Sequence, residues 1–168
     1  MKVRELINSN VPTLSRQTNL AEAGSVLGRT GLSALPVVDR ADRVIGLVTE
    51  KDVLLELARQ DVSPSDLLVE DVLIGRPPVV DENDDVLRCL DLMKRERVGT
   101  IPVVDRDDRL LGIVSIGEVA SEAGQGSLST REVADTLGEI SRRDVPRGRE
   151  GSTRSRSRGR LDRIPTSR

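Results

Sequence analysis

The stretch that decides the fold is Leu35-Pro-Val-Val-Asp-Arg-Ala-Asp-Arg-Val-Ile-Gly-Leu-Val48, because the chain contains it twice. It returns 66 residues later, without a gap, as Ile101-Pro-Val-Val-Asp-Arg-Asp-Asp-Arg-Leu-Leu-Gly-Ile-Val114. Nine of these fourteen positions are identical, and most of the other changes exchange one aliphatic side chain for another. The chain therefore contains one supersecondary unit twice, over roughly residues 3–57 and 69–123.

The apolar pattern predicts the same order of elements in both units: a short helix, an extended segment, a helix, two strands and a final helix. In the first unit these are expected at Val3–Ile7, at Pro12–Leu14, around Leu20, Ala23 and Leu27, at Leu35–Val38 and Val44–Val48, and from Thr49 onward. In the second unit they are expected at Val69–Leu73, at Pro78–Val80, around Val86, Leu90 and Met93, at Ile101–Val104 and Leu110–Val114, and from Ser115 onward. The strands are apolar on both faces, so we expect an α/β (α+β) fold in which both faces are covered.

The segments outside the repeat divide the chain further. We expect the first unit at residues 1–60, a linker at 61–68, the second unit at 69–123, a hinge with a short helix at 124–141 and a tail at 142–168. The short helix is predicted from an apolar stripe formed by Val133, Leu137 and Ile140. The tail is rich in Arg and Ser and poor in apolar residues, which predicts disorder.

Charge is distributed unevenly along the chain, whose formal net charge is −2. Residues 142–168 contain ten arginines and three acidic residues, so they carry +7, while residues 1–141 carry −9. A basic Ser-Arg tail can bind nucleic acid or acidic partners through non-specific electrostatics. It can equally rest against the acidic body or stay solvated, and the pattern modestly favours a solvated tail.

Composition excludes several classes of site. The chain has no His, which rules out a His-based catalytic triad and His-ligated zinc. It has no Phe, Tyr or Trp on which a nucleobase could stack, as RNA-binding folds require. Cys89 is the only cysteine, so no internal disulfide can form, which fits a reducing cytoplasm. No apolar stretch is long enough to span a membrane, and Met1–Asn10 lacks the apolar core of an export signal.

The repeated stretch, followed by Thr49-Glu-Lys-Asp52, resembles the signature of CBS domains, which are named after cystathionine β-synthase. Two such domains in tandem resemble a Bateman module, and the resemblance covers residues 3 to about 122. It implies two β-α-β-β-α units packed sheet against sheet about a pseudo-twofold axis, with two equivalent clefts. It also implies an adenosine-containing ligand, such as AMP, ADP, ATP or S-adenosylmethionine, and the pairing of modules into flat dimers.

The junctions between strand and helix are the candidate ligand sites, because a helix N-terminus attracts phosphate. Thr49 offers a hydroxyl there, and the carboxylate of Asp52 can accept both hydroxyls of a ribose. Ser33, Ala34 and Pro36 would line the adenine side, since Pro36 donates no N–H and frees edge groups for the base. The matching residues of the second unit are Gly99, Thr100, Pro102, Ser115 and Glu118.

Each of these assignments has a structural alternative. Both Thr49/Asp52 and Ser115/Glu118 fit the helix capping box, which needs no ligand. The pattern favours capping alone for the second pair, because Glu is the usual residue at the third helical position, and ligand binding for the first. Arg97 falls where some family members place a phosphate-binding Arg, although an Arg is more often simply exposed.

Two classes of function follow. The favoured one is a non-catalytic sensor that binds an adenosine-containing ligand and signals to a protein partner. We expect it to be a homodimer, because apolar helices flank both units and the family commonly dimerises. The alternative is an interaction protein with empty clefts, acting through its dimer surface and its tail. An enzyme is disfavoured because the sequence has no Walker A motif, metal cluster or base–nucleophile pair, and we expect neither a metal nor a cofactor.

Overall fold

The computed structural model describes residues 1–59, 62–124 and 128–142. The predicted hinge residues after Gly124, the start of the linker and all but the first residue of the predicted tail lie outside this range. The disorder and the nucleic-acid binding predicted for the tail therefore lie outside it as well. The described parts form a mixed α/β structure of helices and small sheets, as the repeat predicts. None of their helices has the length and apolarity needed to cross a membrane.

Both units contain the predicted helices and strands. The first unit has a 3-10 turn at Val3–Glu5, helix α1 at Leu20–Thr30, strands β1 at Ala34–Val38 and β2 at Val44–Thr49, and helix α2 at Glu50–Arg59. The second has a 3-10 turn at Val69–Asp71, strand β3 at Val80–Asp81, helix α3 at Val86–Glu96, strands β4 at Thr100–Val104 and β5 at Leu110–Ser115, and helix α4 at Ile116–Gly124. A further helix, α5, spans Thr130–Ser141. The short helices predicted at the start of each unit are therefore single 3-10 turns.

Each unit contains an antiparallel hairpin, β1 with β2 and β4 with β5, but only the second adds a parallel strand, β3 beside β4. In the first unit the extended segment predicted at Pro12–Leu14 is reduced to a bridge between Leu14 and Val37. The pairing stops there because the N–H of Ser15 donates to the Thr18 hydroxyl at 3.0 Å and starts a turn.

The first segment of each sequence repeat packs on the other unit. Asn8 exchanges two backbone hydrogen bonds with Ile113 of β5, at 2.9 and 3.0 Å. In the opposite direction, the N–H of Val69 donates to the carbonyl of Thr18 at 2.8 Å. The two repeats are thus not self-contained structural units, which agrees with the small core that about 55 residues can bury alone.

Two apolar cores result from this exchange. The core of the second unit includes Val3 and Leu6 from the first repeat. The core of the first unit includes Leu67, Val69 and Val72, which precede the second unit in the chain. Because burying one Val or Leu side chain contributes about 1.5–3 kcal/mol, these borrowed residues hold the two units together.

Helix α5 packs against α3 and α4 of the second unit. Val133 of the predicted stripe is buried, but Leu137 is 41% exposed. Thr136 is buried in its place, with its hydroxyl donating to the carbonyl of Glu132 at 2.7 Å. The prediction that Leu137 lies on the buried stripe of the helix is wrong. Residues three and four positions after Val133 both lie near the same face of the helix, so either one can be the buried residue. A threonine whose hydroxyl bonds within the helix can be buried there.

The ends of α1 and α3 fix where the next strands begin. Helix α1 ends at Gly31 with φ 66°, and α3 ends at Arg97 with φ 55°, both in the left-handed region. These residues turn the chain into β1 and β4. In β1, Ala34 lies opposite Thr49, the last residue of β2, and the equivalent pairing occurs in the second unit. The start of one strand therefore lies beside the N-terminus of the next helix.

Candidate functional site

A cleft of about 560 Å³ lies between the two units. Five residues predicted to bind ligand line it: Ser33, Thr49, Asp52, Arg97 and Gly99. The other six predicted residues are not in its lining: Ala34, Pro36, Thr100, Pro102, Ser115 and Glu118. Two further surface clefts have similar volumes, about 590 and 540 Å³, and contain none of the predicted residues. The cleft between the units is therefore distinguished by the predicted residues that line it and not by its volume.

Four of the six predicted residues outside the cleft lining are buried within strands. Ala34 and Pro36 belong to β1, and Thr100 and Pro102 belong to β4. These strands are covered on both faces as the sequence predicts, so the four residues are buried and do not line the cleft. By contrast, Leu47 of β2 is only half-buried, because it forms part of the cleft wall.

Thr49 and Asp52 form a capping box at the start of α2. The N–H of Thr49 donates to Oδ2 of Asp52 at 2.9 Å, and the Thr49 hydroxyl donates to the same oxygen at 2.7 Å. The N–H of Asp52 donates back to the Thr49 hydroxyl at 3.1 Å. Within the described part of the chain, the hydrogen bonds to this carboxylate all use Oδ2, so Oδ1 is the atom at which a ligand can bind without breaking the cap.

Ser115 and Glu118 form the same motif at the start of α4. The N–H of Ser115 donates to Oε2 of Glu118 at 2.6 Å, and the N–H of Glu118 donates to the Ser115 hydroxyl at 3.3 Å. Capping therefore occurs in both units, whereas only the pair in the first unit lines the cleft.

Side chains at the base of the cleft join the two units. The hydroxyl oxygens of Ser33 and Thr100 lie 3.1 Å apart, within hydrogen-bond distance. Thr100 is only 1% exposed, so it positions Ser33 and does not reach the cleft itself. A Cβ at Gly99 would lie 3.0 Å from the Ser33 hydroxyl and 3.4 Å from Cγ2 of Ile116. A side chain at Gly99 would therefore displace Ser33 or fill the cleft.

Arg97 lines the cleft from the end of α3. It has φ 55° and ψ 42°, and its N–H donates to the carbonyl of Met93. This conformation costs a residue other than glycine about 1–3 kcal/mol, and the counterpart Gly31 avoids that cost. Arg97 thus places a guanidinium group in the cleft, whereas the equivalent residue of the first unit, Gly31, has no side chain.

The remaining charges in the cleft are mixed in sign. Lys51 adds a second cation to Arg97, and Glu50, Asp52 and Glu96 add three carboxylates. Cations suit a phosphate or a carboxylate on a ligand, and carboxylates suit hydroxyl groups or a cationic centre. The arrangement favours a ligand that carries both kinds of group.

The apolar part of the cleft wall was not predicted as part of the site. It consists of Leu47, Leu55, Pro78, Val98 and Ile140. Pro78 and Leu47 have counterparts 66 residues away, so the repeat contained a signal that could have identified them. Ile140 belongs to α5, outside the repeat, and no pattern in the sequence places it beside the cleft.

Comparison with known proteins identifies the family. The family model for the CBS domain matches this chain twice, over residues 3–59 and 69–124. The chain belongs to the CBS-domain family. An inosine-5'-monophosphate dehydrogenase from Methanocaldococcus jannaschii is 30% identical to this CBS pair over 118 residues, which make up 70% of the chain and 23% of that enzyme. The chain thus spans about a quarter of that relative's length.

Solved CBS structures share the fold. The CBS domain pair of protein MJ0100, in complex with 5'-methylthioadenosine and S-adenosyl-L-methionine, is 21% identical with a TM-score of 0.66, covering 76% of this chain and 98% of that one. CBSX2, in complex with AMP, is 25% identical with a TM-score of 0.64, again covering 76% and 98%. The predicted fold of two tandem CBS units is confirmed.

Proposed function

We propose that this CBS pair is a non-catalytic regulatory module that binds an adenosine-containing ligand in the cleft between its units. The observation that carries the proposal is that Thr49, Asp52 and Arg97, from both units, line a single cleft. MJ0100 was solved with two adenosine-containing ligands and CBSX2 with AMP, which supports this class of ligand. The candidates are AMP, ADP, ATP and S-adenosylmethionine.

The cleft offers a separate group for each part of such a ligand. The carboxylate of Asp52 would accept ribose hydroxyls, and hydrogen bonds to a charged group contribute about 1.5–3 kcal/mol each. Arg97 and the N-terminus of α2 would hold a phosphate or carboxylate. Leu47 and Val98 would provide apolar surface for the adenine ring.

The chain lacks two of the groups that enzymes most often use in catalysis, an imidazole and a reactive thiol. It has no His to act as a general base near neutral pH. Its single thiol, Cys89, is buried, and burial raises the pKa of this thiol to about 12. Such a thiol is neither accessible nor ionised near pH 7, so it is not a nucleophile. These properties support a sensor rather than an enzyme.

We also infer that the module is a homodimer in the cytoplasm and signals to a protein partner. The side chain of Leu54, which is 66% exposed, offers apolar surface for such an association. A single unpaired cysteine is compatible with a reducing compartment.

Titration calorimetry with AMP, ADP, ATP and S-adenosylmethionine tests the ligand class and the site. Asp52→Asn keeps an acceptor for the helix cap but removes the charge, so it should weaken binding about tenfold to a hundredfold, equivalent to ~1.4–2.8 kcal/mol. Glu118→Gln makes the same change at the equivalent position outside the cleft lining and is the matched control. It should leave the affinity nearly unchanged.

Two results would contradict the proposal. A ligand at 100 times its Kd should stabilise the folded protein by about 2.7 kcal/mol, so the absence of both heat and thermal stabilisation with all four ligands would exclude this class. If Glu118→Gln abolishes binding while Asp52→Asn preserves it, the ligand occupies another site.

A further inference from the structure

A second cleft, of about 590 Å³, adjoins the ligand cleft at Pro78, the one described residue that lines both. Helix α3 forms one wall of this second cleft, and the segment 76–79 forms another. We call it the arginine cleft, because three arginines line it: Arg76, Arg88 and Arg95. None of the residues predicted to bind the adenosine-containing ligand belongs to its lining.

The arginines keep hydrogen-bond donors that the fold does not use. Arg88 and Arg95 are seven residues apart, so they lie on the same side of α3 and about 10 Å apart along its axis. Nη1 of Arg88 pairs with Asp84 at 3.2 Å, and Nε of Arg95 pairs with Glu96 at 2.9 Å. Each pair uses one nitrogen of a guanidinium group that carries several N–H donors. Arg76 forms no ion pair within the described part of the chain.

Two of these cations are not required by the fold of the repeat. Asn10 stands at the position of Arg76, and Glu22 stands at that of Arg88, yet the first unit has the same helix and the same hairpin. Residues 1–141 carry −9, so the three arginines share one cleft of an acidic body. Positive charge that folding does not require, and that lines a concave surface, is typical of an anion-binding site.

The rest of the lining limits the kind of anion that fits. Asp91 lies on α3 between the two arginines of that helix, and the backbone of Asp108 is held because its carbonyl accepts the N–H of Val44 at 3.0 Å. Both carboxylates accept hydroxyl groups and repel an uninterrupted row of phosphates. Pro77 and Leu92 add apolar surface. The volume of the cleft lies within the range of about 300–1,000 Å³ that is usual for small-molecule sites.

We propose that the arginine cleft binds a small polyhydroxy compound that carries two phosphate groups, such as a sugar bisphosphate. Guanidinium groups bind phosphate through paired hydrogen bonds, and the separation of Arg88 and Arg95 suits phosphates at the two ends of a short carbon chain. Asp91, between them, accepts a hydroxyl of that chain. The inference goes beyond the adenosine-containing ligand and does not depend on it, because the two compounds occupy separate clefts.

Titration calorimetry on the full chain, with fructose 1,6-bisphosphate as the probe, tests the site. Arg95→Glu reverses one charge of the arginine cleft and should weaken binding about tenfold or more, because hydrogen bonds to a phosphate are replaced by repulsion. Arg29→Glu makes the same change at the matching position of α1, outside the cleft lining, and is the matched control. Both arginines are exposed in the last turn of a helix, so the two variants should fold equally well. The control should bind the probe as wild type does.

Asp91→Ala tests the class of ligand. Removing this carboxylate should weaken the binding of the sugar bisphosphate, because one of its hydroxyl groups loses an acceptor. The same change should strengthen the binding of pyrophosphate, which has no sugar hydroxyl and is repelled by the charge of Asp91. A merely electrostatic attraction to the arginines would move both affinities in the same direction.

Several results would overturn the proposal. These are the absence of heat with the sugar bisphosphate, an equal loss of affinity in Arg29→Glu, a change of the same sign for both anions in Asp91→Ala, and binding of the probe that AMP abolishes. Titration with AMP separates this inference from the proposed function. Because Arg95 lies outside the lining of the ligand cleft, Arg95→Glu should bind AMP as wild type does.

Discussion

Short acidic side chains hold the turns of this protein by accepting N–H groups from nearby residues. Asp39 accepts hydrogen bonds from the N–H groups of Ala41 and Arg43, at 2.8 and 3.0 Å, in the turn between β1 and β2. Asp52 does the same for Thr49 at the start of α2. Asp52 differs because it also lies in the cleft. Its carboxylate would serve the helix cap and a ribose together, so ligand binding would be linked to the stability of α2.

The carboxyl of Asp39 provides a test of this type of interaction. The hydrogen bond from the N–H of Arg43, followed by that from Ala41, holds the pKa of Asp39 below its usual value. A lowered folded-state pKa contributes stability that is present above the unfolded value of about 3.9 and is lost as the pH falls through the folded value. Asp39→Asn should therefore be less stable than wild type at pH 7, and the difference should shrink and disappear on acidification below pH 4.

Urea unfolding of both proteins between pH 7 and pH 2 measures this difference. A difference that does not change with pH would show that the charge of Asp39 is not responsible.

At the scale of elements, one glycine of the repeat has different neighbours in the two units. A Cβ at Gly112 in β5 would collide with the backbone carbonyl of Asn8 and with the side chain of Ile7. At the matching Gly46 in β2, a Cβ would collide with the side chain of Leu73. A side chain can rotate away, whereas the backbone of Asn8 is fixed by its hydrogen bonds to β5. The contact between the first segment and β5 therefore requires glycine.

Alanine substitutions at the two glycines should have unequal effects. Gly112→Ala should lower the free energy of unfolding by about 1–3 kcal/mol, in the range of overpacked cores, and should expose the amide of Asn8 to hydrogen exchange. Gly46→Ala is the matched control and should cost less, because Leu73 can move. Urea unfolding and amide exchange measure both effects. Equal destabilisation by the two substitutions would contradict this explanation.

The helices and strands were predictable because aliphatic periodicity determines them locally. Strands β1 and β4 and the buried positions Leu20, Ala23 and Leu27 follow directly from the pattern. The packing of each first segment on the other unit was not predictable. A repeat shows which positions of the two units are equivalent, but it does not show which unit a given segment packs against. The exposure of Leu137 was missed for a similar reason, since a helical period allows two neighbouring residues to share one face.

The candidate site was predictable where it follows from strand-to-helix junctions. Ser33, Thr49 and Asp52 share one junction, because β1 begins beside the end of β2. The burial of Thr100 was not apparent from its polar side chain, although its counterpart 66 residues earlier, Ala34, is buried as well. The contribution of Ile140 depends on where α5 docks, which no local pattern specifies.

At the scale of the whole molecule, an acidic body precedes a basic segment. The contact of α5 with α3 and α4 extends the body to the end of that helix. The composition of residues 142–168 predicts a disordered tail that can bind polyanions through charge alone. Deleting residues 143–168 should therefore leave the melting temperature and the affinity for adenosine ligands unchanged, and should abolish any salt-dependent binding to DNA.

Differential scanning calorimetry, titration calorimetry and DNA-binding assays at several salt concentrations measure these properties. A lower melting temperature after the deletion would show that the segment packs on the body. DNA binding that persists after the deletion would show that the body itself binds DNA.

The exchanged first segment determines how the molecule would respond to tension. The first eight residues are attached to the second unit, where Asn8 bonds to β5 and Val3 and Arg4 bond to the segment before α3. Helix α5 is attached to α3 and α4, so both ends of the described chain are anchored on the second unit. A pulling force applied at the two ends would pass through the second unit and leave the first unit unloaded until the second one opened. When two domains are joined end to end, a pulling force acts on both of them. In this molecule the force would act on the second unit first, and the first unit would carry no load until the second unit unfolds.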